Sequence, residues 1–218
     1  MLPRRNNAVV FIDFDDTIAT IDAFDDLVAR FSRDNLWKKL EQQWVRGDIG
    51  SKACLKGQLG GVRINKKQLV NYLAGIPIDP YFKKLARLLK QHKIKMVILS
   101  DNFDYFIRRL LRLHGVHGVK LFCNKARMRG DRFIVHFPYE HATCRICAHC
   151  KTKNLLANAA PDSIIFYIGD GRSDICPAQA ADKVFAKHTL ERYFQDHALP
   201  YTSFKTLKDV FDYFKRSF

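Results

Sequence analysis

Asp13, Asp15 and Thr17 follow the apolar run Val9-Val10-Phe11-Ile12 in an Asp-x-Asp-x-Thr pattern. Carboxylates two apart at a strand end lie on the same side, so both can face one ligand. The pair suits a hard cation such as Mg2+, which prefers oxygen ligands. Three later segments repeat the theme. Val97-Ile98-Leu99 runs into Ser100-Asp101-Asn102, a hydroxyl beside the free N–H groups of a helix start. That arrangement can cradle an anion, and equally it can cap a helix. Lys151 follows a Cys-rich loop and, with Lys153 close behind, offers a point cation to a phosphate. Phe166-Tyr167-Ile168 then ends in Gly169-Asp170-Gly171-Arg172-Ser173-Asp174, where two acids four apart sit among glycines that permit a sharp turn.

These groups require a frame that brings strand ends together. Residues 8–13, 94–99, 119–123, 163–168 and 184–186 read as buried strands, alternating with amphipathic helices at 81–92, 103–114, 150–159 and two near the C-terminus. Residues 126–138 alternate around Gly130-Asp131, a hairpin pattern. Strands alternating with helices specify an α/β fold with a doubly wound, Rossmann-like parallel sheet, whose ligands bind outside the carboxyl ends of the strands. From 22 to 78 the pattern is helical throughout, with apolar residues recurring at three and four: Phe24, Leu27, Val28 and Phe31, then Leu36, Leu40 and Trp44. The expected organisation is a core of residues 1–20 and 79–218 with a small helical cap, 21–78, over the first strand's end. Pro77 and Pro80 punctuate the return.

Bulk properties narrow the function. No apolar run is long enough to span a bilayer, and the basic N-terminus has no apolar segment of the signal-peptide kind. A cytoplasmic protein is expected. The net charge of +15 is spread along the chain without a nucleic-acid-binding motif. It reads as a field attracting phosphorylated metabolites, with no nucleic-acid partner expected. A basic nucleic-acid-binding protein on a catalytically silent scaffold is the competing reading, and the intact set of acids, Ser100 and Lys151 argues against it.

In order, Asp-x-Asp-x-Thr, strand-Ser, Lys and Gly-Asp-Gly-x-x-Asp resemble the four motifs of the haloacid dehalogenase (HAD) superfamily, across essentially the whole chain. The helical block is similar to the small cap of the subgroup that includes phosphoserine phosphatase. Cys123-Asn124 and the stretch from His141 to Lys151 are similar to methylthiopentenyl phosphate phosphatases of methionine salvage and to phosphoethanolamine/phosphocholine phosphatases. The resemblance implies a phosphatase of small phosphomonoesters. Asp13 would be the nucleophile and Asp15 the acid/base. Ser100, Asp101, Asn102 and Lys151 would line the phosphate site, Lys151 being preferred over Lys153 because the resembling families place their Lys directly after the Cys. Mg2+ would be held by Asp13, the main-chain carbonyl of Asp15 and Asp170. Asp174 would stand behind them to orient metal-bound water or Lys151, with Thr17 in support. Phosphoserine phosphatase-like activity and phosphotransfer to another alcohol are the alternatives within the class.

Two features stay open at this level. Asp101 could pair with a substrate amine or cap the next helix. Cys144, Cys147 and Cys150, with His141 and His149 beside them, could bind Zn2+ tetrahedrally or form a loop of free thiols.

Overall fold

The computed structural model describes residues 8–141, Cys144 and residues 146–218. Strand β1 (Ala8–Ile12) lies inside a seven-stranded sheet, parallel on one side to β2 (Lys95–Phe103) and on the other to β5 (Ile164–Gly169). Outside β2 lies β3 (Lys120–Arg129), followed by β4 (Arg132–His136); beyond β5 lie β6 (Lys183–Ala186) and the two-residue β7 (Thr202–Ser203). Only the pairing of β4 with β3 is antiparallel among the described strands. The chain therefore steps outward from β1 to β4, returns to β5 and winds the other way, which leaves a crevice at the strand ends between the two halves.

Alternation assigns the two faces. Val10, Ile12, Phe166 and Ile168 pack with α5 (Phe82–Gln91), α6 (Asp104–Leu113) and α10 (Leu207–Ser217). Val9, Phe11, Leu99 and Tyr167 pack with residues of α7 (Lys151–Leu156), α8 (Ile175–Gln179) and α9 (His188–Asp196). Ile12 pairs with Ile98 and with Ile168, so the three central strands end level and their next residues share one edge. At that edge β2 bulges: Ser100 pairs with Cys123 and Phe103 with Asn124. Asp101 and Asn102 are thereby expelled from the ladder, the usual way a bulge re-aims side chains beside a site.

Between β1 and α5 the chain forms α1 (Ala23–Phe31), α2 (Leu36–Arg46), α3 (Ser51–Gly61) and α4 (Lys66–Ala74), the helical block expected from periodicity. Asp22 caps α1 by accepting the Asp25 N–H, and Asn65 and Gln68 form a capping box on α4. The block's two connections run side by side: Ala19 bridges Ile78, Thr20 N–H donates to Pro77 O (3.1 Å), and Asp79 N–H donates to Ile18 O (2.8 Å). Asp79 also accepts the N–H of Tyr81 (2.8 Å) and of Leu207 (2.9 Å), tying the exit to α10.

Three elements depart from expectation. β2 continues past Leu99 to Phe103 through its bulge. β3 runs on from residue 123 to Arg129 and makes one hairpin with β4, because its distal half leaves the parallel sheet and reaches the helical block, where Ile64 N–H donates to Asp131 O (3.1 Å). β7 is too short to carry a periodic signal.

Candidate active site

The level strand ends gather the acids. Asp13 follows β1, its N–H donating to Ile168 O at 2.9 Å, and Asp170 follows β5. Lys151, the first residue of α7, extends its Nζ to Asp13 Oδ1 (2.6 Å) and Asp174 Oδ1 (2.7 Å). All four side chains are buried. Burial would strip the Lys151 charge, but Asp13 and Asp174 outweigh it and hold the ammonium well above its ordinary pKa. Asp13 is raised, first by burial and then by Asp174, with Lys151 acting against both. Asp170 is raised to about 7 by burial and by Asp174. Three carboxylates thus share one cation, and the site is short of positive charge.

Asp174 is saturated. Its Oδ1 accepts Lys151 Nζ and the Tyr167 hydroxyl (2.6 Å), and its Oδ2 accepts the N–H groups of Asp170 (3.1 Å) and Gly171 (3.0 Å). Of the two partners expected for Asp174, Lys151 is bonded to it here. Gly169 is required beneath it, because a Cβ there would lie 2.6 Å from Asp174 Oδ2. Thr17 donates its hydroxyl to Asp170 Oδ1 (3.0 Å), fixing that carboxylate.

Asp15 sits apart from this cluster. Its carboxylate accepts Ala23 N–H (3.0 Å) at the start of α1 and both Asn102 Nδ2 contacts (3.1 Å). Burial, with Asp22 nearby, raises its pKa well above the ordinary range despite those bonds. Asn102, expected with the phosphate ligands, spends its amide on Asp15 and its carbonyl on Phe103 N–H (2.6 Å), so in this structure it orients the acid. Ser100 is buried and accepts Asn102 N–H at its Oγ (3.0 Å). Asp101 lines the cavity with one buried oxygen, Oδ1, that has no hydrogen-bond partner, and burial raises it to about 6. The N-cap of the following helix is Phe103, and Asp101 makes no capping bond there.

Above these groups lies a cavity of about 470 Å3 between the sheet edge and α1–α3. Its roof carries Asp22, Asp25 and Glu41 beside Phe24 and Trp44. Asp22 is raised to about 6, chiefly by burial, and Asp25 to about 7 by burial and by the charges of Asp22 and Glu41. Arg172 spans floor and roof, donating to Val45 O (3.0 Å) with its guanidinium 5.5 Å from the Trp44 ring centroid.

The zinc reading of the Cys-rich loop is not supported. Both nitrogens of His149 are committed, Nδ1 to Ser100 O (2.9 Å) and Nε2 to the Asn154 amide (2.9 Å). Burial lowers His149 to about 4 and keeps it neutral. Among the described residues, the metal-ligating side chains that converge are Asp13, Asp170 and Asp174.

The matching family model, described as "Putative Phosphatase", spans residues 8–198. The chain belongs to this family. It is similar, at 26% identity over 93% of this chain and 92% of the relative, to 2-hydroxy-3-keto-5-methylthiopentenyl-1-phosphate phosphatase of Brevibacillus brevis. The Geobacillus kaustophilus protein of the same name is 28% identical over 95% of this chain and 96% of its own. Phosphoserine phosphatase from T. onnurineus superposes with a TM-score of 0.70 at 18% identity, covering 99% of this chain and 98% of that one, which establishes the HAD fold. The chain is a HAD-type phosphomonoester hydrolase.

The sequence reading overlooked four contributors: Tyr167, Glu41, Arg172 and Asn154. Tyr167 alone carried a signal, since a phenol in an otherwise apolar buried strand needs a partner for its hydroxyl.

Proposed function

We propose that this phosphatase hydrolyses a small phosphomonoester with a cationic head group, through an aspartyl-phosphate on Asp13. The observation that carries the chemistry is Lys151 Nζ bridging Asp13 and Asp174 at the floor of the cavity. Lys151 holds Asp13 in place and meets a phosphate oxygen, so that an anion can approach an anion. Asp13 Oδ2 attacks phosphorus. Asp15, whose raised pKa keeps a proton available, delivers it to the leaving oxygen and later takes one from the attacking water. Ser100 presents its hydroxyl to the phosphate. Asn102 and Ala23 N–H keep the Asp15 carboxylate aimed, and Thr17 does the same for Asp170.

The excess of carboxylate over ammonium fits a divalent cation. Asp13 and Asp170 would hold Mg2+ together with the main-chain carbonyl of Asp15, while both oxygens of Asp174 are already used. Mg2+ supplies charge neutralisation on the transferring phosphoryl group. Residues 21–78 act as a cap and limit entry to small substrates. A cytoplasmic location accords with the described helices, none of which is long and apolar enough to cross a membrane.

The head-group reading rests on the roof and on Asp101. Asp22, Asp25 and Glu41 face the cavity beside two aromatic rings, a setting that attracts an ammonium group electrostatically and through cation–π contact. Phosphoethanolamine or phosphocholine matches it. The names of the relatives favour a second reading, a methylthiopentenyl phosphate. Phosphate release with Mg2+ is to be measured for phosphocholine, phosphoethanolamine, phosphoserine and a methylthiopentenyl phosphate analogue, with Asp13→Asn alongside. The expected result is turnover that vanishes in the variant and a higher kcat/KM for phosphocholine and phosphoethanolamine. A preference for the uncharged thioether overturns the head-group reading. Turnover that survives in Asp13→Asn overturns the nucleophile assignment.

A further inference from the structure

The loop bearing Cys144, Cys147 and Cys150 joins the two walls of the cavity. On the core side Cys150 N–H donates to Tyr139 O (2.9 Å), and Lys151 follows at once. On the other side Ile146 O accepts the N–H of Ser51, first residue of α3, at 2.8 Å. The neighbouring Lys52 pairs with Glu140 at 2.8 Å. Ser51 Oγ accepts the Trp44 indole N–H (2.9 Å), and both residues line the cavity. The loop is thus a latch holding α3 and Trp44 to the sheet edge.

Cys144 and Cys147 form an unequal pair within that latch. Both are half-buried, and Cys147 N–H donates to Cys144 Sγ at 3.5 Å. Burial works to raise Cys144, but the N–H groups of Cys147 and Ile146 and the Cys147 thiol prevail and lower it. Cys147 is pushed up to about 12 by burial and by its bond to Cys144. A thiolate-prone sulfur next to a protonated one is the arrangement of an attacking and a resolving cysteine.

We propose that Cys144 and Cys147 are a redox pair, oxidised by a hydroperoxide to a disulfide that releases the Ile146–Ser51 latch. Cys144 thiolate attacks one peroxide oxygen. The O–O bond breaks, the other oxygen leaves as hydroxide or alkoxide and takes up the proton that the Cys144 thiol released on ionising, and Cys144 becomes a sulfenic acid. Cys147 sulfur then attacks Cys144 sulfur, the S–O bond breaks, and hydroxide departs as water with the Cys147 proton. The two sulfurs supply the two electrons, and a dithiol reductant returns them. The bridge draws the sulfurs to about 2.05 Å and removes Cys144 Sγ as acceptor for Cys147 N–H. Ile146 lies between the two cysteines, so closing the bridge turns the segment whose carbonyl meets Ser51 and loosens that bond.

The test is oxidation of the whole protein with hydrogen peroxide, alkylation and tryptic mapping. Cleavage after Arg132, Arg145 and Lys151 places Cys144 in peptide 133–145 and both Cys147 and Cys150 in peptide 146–151. The expected product is a cross-link between these peptides that persists in Cys150→Ser and is lost in Cys147→Ser. Oxidation should raise KM for an aryl phosphate about fivefold, the scale of one net hydrogen bond. Dithiothreitol should reverse the rise, and Cys144→Ser should not show it. A bridge confined to peptide 146–151, no bridge at all, or a Cys144–Cys147 bridge with unchanged KM overturns the proposal.

Discussion

Replacing Asp174 by Asn tests whether the polar floor of the site works as one unit. Asp174 is fully buried and accepts four hydrogen bonds, two at each oxygen. An amide has one oxygen and one NH2, so in either orientation two donors face a donor. With the oxygen kept toward Lys151 and Tyr167, the N–H groups of Asp170 and Gly171 lose their acceptor. Unpaired buried donors and a broken buried ion pair together cost about 4–5 kcal/mol. The substitution also removes repulsion on Asp13 and Asp170. Burial is the larger cause of Asp170's rise to about 7, so this relief returns only about 1–2 kcal/mol. The net loss is about 3 kcal/mol, or a fall in Tm of about 6–12 °C for a chain of this size. Thermal unfolding without added metal measures it, with Tyr167→Phe as the milder control that deletes a single bond. An Asp174→Asn protein as stable as wild type would refute the reasoning, because repulsion would then outweigh the hydrogen bonds.

Asp15→Asn should lower kcat by about 10^2 to 10^4 for an alkyl phosphate and much less for a nitrophenyl phosphate, whose leaving group needs no proton; equal losses would remove Asp15 from the acid role. Chelation with EDTA should abolish turnover and Mg2+ restore it, while Mg2+ also raises Tm by relieving the Asp13–Asp170 cluster, as a melt with and without the ion would show. For an amine substrate, KM should rise as pH falls below about 7, where Asp25 takes up its proton and its attraction is lost. An uncharged ester should lack that rise, and Asp25→Asn should flatten it. The same group bears on stability. Its folded pKa is raised, so its favourable contribution is complete below the unfolded value of 3.8 and is lost as pH rises through about 7. Asp25→Asn should therefore be the more stable protein at pH 8, and equal to wild type near pH 3 in urea titrations.

Much of this was legible in the chain because the chemistry sits where strands stop. Asp13, Ser100 and Asp170 each follow an apolar run, and the parallel register that levels Ile12, Ile98 and Ile168 follows from burying those runs on both faces. Lys151 was legible only through its place after the Cys-rich loop, since a lone Lys at a helix start carries no periodic signal. The fate of Asn102 was hidden because it depends on a two-residue bulge in β2, and bulges leave no mark in hydrophobic alternation. Asp22 caps α1, a role that an acid at a helix start makes legible, but Glu41 and Arg172 meet the cavity through the packing of α2 over the β5 loop. That packing is tertiary and has no sequence period.

The paired connections at Ala19 and Ile78 have a mechanical consequence. Two separate linkers would let the helical block slide, twist or tilt over the strand ends. Here the linkers are bonded to each other through Ala19–Ile78, Thr20–Pro77 and Ile18–Asp79, and Asp79 is pinned to the last helix. Sliding and twisting of the block are resisted at this end, so an opening of the cavity would swing about the paired connections and break the Ser51–Ile146 and Val45–Arg172 bonds at the far rim. The gap at that rim, near Trp44 and Arg172, then follows the swing. Departure of the alcohol, arrival of water and escape of phosphate would all be clocked by the same swing.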